Sequence, residues 1–145
     1  MKISTKGRYG LRTLMDIASH QAKGPVNLGD IAERQGISAK YLWQIVNLLK
    51  TAGFVRGTRG PKGGYILLRN PAEITLLDII QVLEGPLSLV ECVDDAAFCA
   101  RTGDCVAHSV WGEVSQLILD ALQKITLAEI LRRHAGVGNS GQYVI

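Results

Sequence analysis

Residues Leu28–Leu68 read LGDIAERQGISAKYLWQIVNLLKTAGFVRGTRGPKGGYILL, and the fold turns on this stretch. Leu28, Ile31 and Ala32 mark one face of a short helix running to about Gln35. Gly36-Ile37-Ser38 follows, with a glycine for a tight turn, an apolar anchor and a serine to cap the next helix. That helix carries Leu42, Ile45 and Leu49 inward and ends at Gly53, a residue suited to a left-handed C-terminal cap. Two short helices joined this way predict a helix-turn-helix. Phe54-Val55-Arg56 and Tyr65-Ile66-Leu67-Leu68 are β-prone runs flanking a glycine-rich loop that carries Arg59 and Lys62, which predicts a β-hairpin. Placed directly after a recognition helix, such a hairpin is a wing. The loop is not a phosphate cradle: no G-x-x-x-x-G-K-[ST] is present and no strand-loop-helix order surrounds it.

Outward from this stretch the periodicity is mostly helical. Leu11, Leu14, Met15 and Ala18 predict a helix from about Gly7 to His20, closed off by Gly24-Pro25. Leu76, Ile79, Ile80 and Leu83 predict another from about Thr75 to Leu83, broken by Gly85-Pro86. Residues 86–105 read as irregular and hold all three cysteines. Trp111, Val114, Ile118, Ala121 and Ile125 then repeat at 3, 4, 3 and 4, a seam for a long helix, 108–125, packed on its twin in a second copy. A short helix from Thr126 to Arg133 follows, and the glycine-bearing tail from Gly136 to Ile145 is expected to be mobile until Tyr143-Val144-Ile145 finds a surface. The expected fold class is mostly α with a small β-hairpin wing. It comprises a winged helix-turn-helix over 1–84, a cysteine-containing loop over 85–107, a dimerisation helix and return helix over 108–135, and a flexible tail over 136–145.

The chain has 145 residues, 47% hydrophobic and 20% charged, the balance of one folded domain. Its longest apolar run, Ala96–Ala100, is far short of the roughly 20 residues that cross a bilayer. The polar start MKISTKGRYG predicts no signal peptide and a cytoplasmic protein, where three cysteines are not expected to form a structural disulfide. Net charge is only +3, but it is divided. Residues 1–75 hold 12 Lys/Arg against 4 Asp/Glu, and residues 76–145 hold 4 against 9. A basic N-terminal half beside a helix-turn-helix and a wing points to DNA.

Cys92, Cys99, Cys105 and His108 form C-x6-C-x5-C-x2-H on a loop leading into a helix. Thiolates with an imidazole suit an iron–sulfur cluster or zinc. Structural zinc more often uses closely spaced cysteine pairs, and these wider gaps suggest a loop wrapped around a larger object. Three readings stay open from spacing: an iron–sulfur cluster, zinc, and unligated or redox-active thiols. No Cys–His–carboxylate order or oxyanion loop suggests an enzyme. His20 and His134 read as surface or packing histidines.

Met1-Lys2-Ile3-Ser4-Thr5-Lys6-Gly7-Arg8-Tyr9-Gly10, Ile37-Ser38 with Tyr41-Leu42, and Arg59-Gly60 with Gly63-Gly64-Tyr65 resemble the IscR-type winged-helix regulators, the IscR/NsrR/CymR family, over about residues 1–133. The resemblance implies a homodimeric DNA-binding regulator, mainly a repressor, and no enzyme. Within the family, the three cysteines with a histidine two residues beyond the last resemble the cluster-binding members. That implies a 2Fe-2S cluster on Cys92, Cys99, Cys105 and His108, supplied by iron–sulfur assembly proteins. Some relatives take a carboxylate or histidine ligand from the partner's first helix, whereas Arg8 and Arg12 stand there in this chain.

The implied role is control of iron–sulfur biogenesis genes through cluster-dependent DNA affinity. A nitric-oxide or redox sensor, and a metal-free repressor controlled by a protein or metabolite partner, are the alternatives. On this reading Ser38, Lys40, Tyr41, Trp43 and Gln44 meet the major groove, Arg59 with Lys62 approaches the minor groove, and Thr5, Lys6 and Tyr9 hold phosphates. The regulator that names the family has a glutamate at the place of Trp43. Tryptophan can neither repel phosphate nor accept a bond from cytosine, so cluster-dependent switching between two target classes is not expected here.

Overall fold

Hydrogen-bonded caps account for where the helices begin. In a computed structural model, which describes residues 1–140, Ser4 caps α1 (Thr5–His20), Asn27 caps α2 (Leu28–Gln35) and Ser38 caps α3 (Ala39–Thr51), each by accepting a backbone N–H. Gly36 closes α2 in the left-handed region, φ 65°, which makes the tight turn into α3 possible without Cβ strain. The antiparallel hairpin pairs β1 (Val55–Thr58) with β2 (Gly64–Leu67) in the register Val55↔Leu67 to Thr58↔Gly64. Thr75 opens α4 (Leu76–Glu84) with a reciprocal capping box to Asp78. A single turn, α5 (Glu91–Asp94), interrupts the cysteine segment before α6 (Val106–Lys124) and α7 (Leu127–Ser140).

The apolar positions converge on one core. Leu14 and Ile17 from α1, Ile31 from α2, and Leu42, Ile45 and Leu49 from α3 are fully buried, as are Val55, Ile74 and Ile79. Each such side chain contributes about 1.5–3 kcal/mol relative to exposure. Asp16 is buried among them, and its carboxylate receives Arg34 at 2.6 and 3.0 Å and Gln35 at 2.8 Å. That network ties α1 to the end of α2. The Arg34 hydrogen bonds and charge, with the Gln35 bond, outweigh burial and hold the Asp16 carboxyl below its usual value.

Three features differ from the sequence expectation. Val26 pairs with Tyr65 as an isolated bridge, giving the hairpin a one-residue third edge. A Cβ on Gly64 would stand 2.4 Å from Val26 O, so only glycine lets the two chains approach. The core does not stop at residue 84, because Leu127 is fully buried in it and Leu131 packs against it. Helix α7 runs past Arg133 and through Gly136 and Gly138 to Ser140, where a mobile tail was expected. The expected tail contact Tyr143-Val144-Ile145 lies outside the described residues. Helix α6 seats Ser115 against its own domain and leaves the expected seam only partly covered within one chain. Val114, Ile118 and Ile125 are half-buried, while Trp111 and Ala121 are exposed.

Candidate nucleic-acid interface and cysteine segment

On α3 the inward set Leu42, Ile45, Val46 and Leu49 leaves Lys40, Trp43 and Gln44 on the outer face. All three are exposed, Trp43 by 55%, a large apolar area for a solvent-facing position. Ser38 is exposed too, with its hydroxyl taken by the Tyr41 N–H. Tyr41 sits lower on the helix, half-buried, with its ring edge-on to Tyr9 at 6.1 Å. Arg12 lies over the other part of Tyr9, at 5.3 Å, while its guanidinium bonds Gln35. Thr5 is exposed and bonded by Arg8, and Lys6 is half-buried one residue on.

Arg59 and Lys62 stand exposed at the hairpin tip. Lys62 shares an open cleft of about 590 Å³ with Lys23 and Asn27, a neighbour that sequence periodicity had not singled out. Among the described residues, the side chains of Lys6, Lys40, Arg59 and Lys62 enter no ion pair or hydrogen bond; the salt bridges lie at Asp16 and Glu129. Lys40, Arg59 and Lys62, exposed and without internal partners, are free to release counterions onto a phosphate backbone.

The cysteine segment starts where α4 ends. Leu87 is buried, and the Leu89 N–H donates to Ser115 Oγ at 3.3 Å, so the first part of the segment is pinned to α6. Ser88 bonds Asp94 across α5. Cys105 caps α6, its sulfur accepting the His108 N–H at 3.4 Å. His108 Nδ1 lies 3.4 Å from Cys92 Sγ. Two of the four expected ligands, Cys92 and His108, thus meet side chain to side chain at the start of α6, and Cys105 reaches His108 only at its backbone N–H. Cys99 does not join them: it is exposed, on a stretch whose bonds, such as Thr102 to Cys99 O and Ala97 to Asp95, are all local. Among the described residues no three His, Cys, Asp or Glu side chains are gathered as a metal-ion site. The expected four-ligand set is therefore incomplete here, since nothing beyond the loop itself fixes Cys99. The donor chemistry of the other three, two sulfurs and an imidazole, suits iron or zinc.

No helix among the described residues is long and apolar enough to cross a membrane. The chain does carry exposed apolar side chains on α6, namely Val106, Val110, Trp111 and Leu117.

A family model described as "Rrf2: Iron-dependent Transcriptional regulator" matches residues 3–133. Protein rrf2 of Nitratidesulfovibrio vulgaris is 39% identical over 132 residues, covering 91% of this chain and 88% of its own length. The HTH-type transcriptional regulator IscR of Pectobacterium atrosepticum is 38% identical over 131 residues, 90% of this chain and 79% of the relative. Among solved structures, CymR (YrzC), the global cysteine regulator of B. subtilis, superposes with a TM-score of 0.76 at 38% identity, covering 92% of this chain and 98% of that one. T. potens IscR does so with a TM-score of 0.74 at 43% identity, covering 92% and 88%. These matches span the helix-turn-helix, the hairpin and the cysteine segment alike, and the chain belongs to the Rrf2 family of DNA-binding transcriptional regulators, which are not enzymes.

Proposed function

We propose that this regulator is a homodimeric repressor whose DNA affinity responds to a 2Fe-2S cluster, and that it controls iron–sulfur biogenesis genes. The observation that carries this reading is the approach of the His108 ring to Cys92 at the first turn of α6, the turn that Cys105 caps. Cys92, Cys99, Cys105 and His108 would hold the cluster, which when bound supplies a link sensitive to iron supply and to oxidants. The chain's own part is to bring Cys99 in from its exposed stretch. Doing so orders residues 95–104 against α6, and a state favoured by that ordering gains population when the ligands are engaged. The apolar face of α6 supports the dimer, because exposed valines, a tryptophan and a leucine along one helix are better covered than solvated. Two copies joined there would present two α3 helices to successive major grooves, with Arg59 of each wing reaching the flanking minor groove.

Purification without oxygen, followed by assay of iron and acid-labile sulfide, tests the reading. About two irons and two sulfides per chain, with a visible spectrum that bleaches on reduction, is the expected result. A protein that stays iron-free after reconstitution would contradict it. The likeness to a global cysteine regulator, with Cys99 apart from the other donors, favours a second reading, a repressor controlled without a cluster. On that reading a variant with Cys92, Cys99 and Cys105 all changed to alanine binds DNA as the parent does.

A further inference from the structure

Glu84, the last residue of α4, lies against the start of α1. Its Oε1 accepts the Ser4 N–H at 2.9 Å, the Ser4 hydroxyl at 2.6 Å and the Gly7 N–H at 3.1 Å. The first turn of α1 contains no acid, although Lys6 and Arg8 place cations against the positive end of its dipole. The anion that this helix end favours therefore comes from α4. Burial pushes the Glu84 carboxyl up, but the bonds from Ser4 and Gly7 and the Lys6 charge outweigh it and hold it below its usual value.

The two helices also interlock. A Cβ on Gly7 would stand 2.3 Å from Glu84 Oε1, and one on Gly10 would stand 2.2 Å from Leu83 Cδ1. The Glu84 and Leu83 side chains rest directly on the glycine backbone of α1, so a displacement of the end of α4 is passed to α1 through them. From there Tyr9 meets Tyr41 in the first turn of α3. On the other side, Gly85 leads Glu84 directly into the cysteine segment, which Leu87 anchors.

We infer that Glu84 is a positioning residue for DNA binding: its tie to Ser4 and Gly7 sets where Thr5, Lys6 and Tyr9 stand, and through it the segment 85–105 acts on that face. The inference rests on the proposed phosphate contacts of the α1 turn. It requires no metal, so it can be tested on the iron-free protein. Binding of a duplex from its own promoter is titrated over a range of salt for the parent, Glu84→Ala and Glu84→Gln, with thermal melts to confirm that each is folded.

Glu84→Ala is expected to bind about tenfold more weakly, with the salt slope reduced by about one as a phosphate contact is lost. Glu84→Gln, which keeps an acceptor oxygen, should fall between, and amide exchange should quicken over residues 4–9 alone. A folded Glu84→Ala with parental affinity and slope would overturn the inference. So would weaker binding at an unchanged slope, the result of a merely structural role. Arg59→Ala run in parallel separates the two levels of failure. If it weakens binding while Glu84→Ala does not, the joint alone is wrong; if both are inert, the DNA-contact assignment falls and takes the joint with it. A double-mutant cycle with Leu87→Ala tests the route. Leu87→Ala should weaken DNA binding in the parent and add nothing in Glu84→Ala, whereas additive effects or an inert Leu87→Ala would overturn it.

Discussion

At the scale of single residues, the proposed DNA face is distinguished by what its cations lack. Arg59 has no internal partner, whereas Arg34 is held by Asp16. Arg59→Ala should therefore cost little stability. It should weaken operator binding by about 1–3 kcal/mol and relax preference at flanking A·T positions, measured by anisotropy titration on operator variants. His108 is the residue where the cluster reading is most exposed to test. Its ring nitrogen lies beside Cys92, so His108→Ala removes that donor while keeping the backbone N–H that bonds Cys105. The visible spectrum of the anaerobically reconstituted variant should change, and an unaltered spectrum would exclude His108 as a ligand.

At the scale of elements, the uncovered face of α6 makes a separate prediction. Leu117 is 68% exposed, so Leu117→Lys should leave the fold intact. On the dimer reading it should shift sedimentation toward the monomer and weaken operator binding; an unshifted dimer would place the interface elsewhere. The elements that strong periodicity or local chemistry specifies were legible in the sequence. The Leu11, Leu14, Met15 and Ala18 stripe, the Gly36-Ile37-Ser38 turn and the glycine-rich hairpin each carry their cause within a few residues. Elements whose cause is remote were not legible. Val26 joins the hairpin through one residue, too short for any alternation to reveal. Helix α7 continues across Gly136 and Gly138, residues that by propensity argue for a stop. On α6 the heptad spacing was visible, but which stripe would turn inward depended on where Ser115 could receive Leu89. The candidate site divided the same way. The cations of the wing and of α3 stood out by motif, while the Glu84 tie spans 80 positions with no local signal.

At the scale of the whole molecule, two carboxylates connect helices across the fold, and both are held below their usual values, 3.8 for Asp16 and 4.5 for Glu84. In the window below those usual values the unfolded chain binds protons that the folded chain does not, so stability rises with pH there. Their contribution is complete above pH 4.5 and is lost as pH falls through the lower folded-state values. Asp16→Asn should cost about 1–3 kcal/mol at neutral pH, where Arg34 loses its charged partner, and less as acid protonates the parent. Urea melts at neutral pH and below pH 3.8 check this, and an equal cost at both would contradict it. The charge division of the sequence has its counterpart in the fold, since the basic half builds the helix-turn-helix and wing while the acidic half builds the cysteine segment and α6. The central claim is that the second half governs the first. The most direct test is one titration of operator DNA with anaerobically cluster-loaded protein and with the variant in which Cys92, Cys99 and Cys105 are alanine. The loaded protein should bind about tenfold or more tightly, a difference of about 1.4 kcal/mol, and equal affinity would contradict the account.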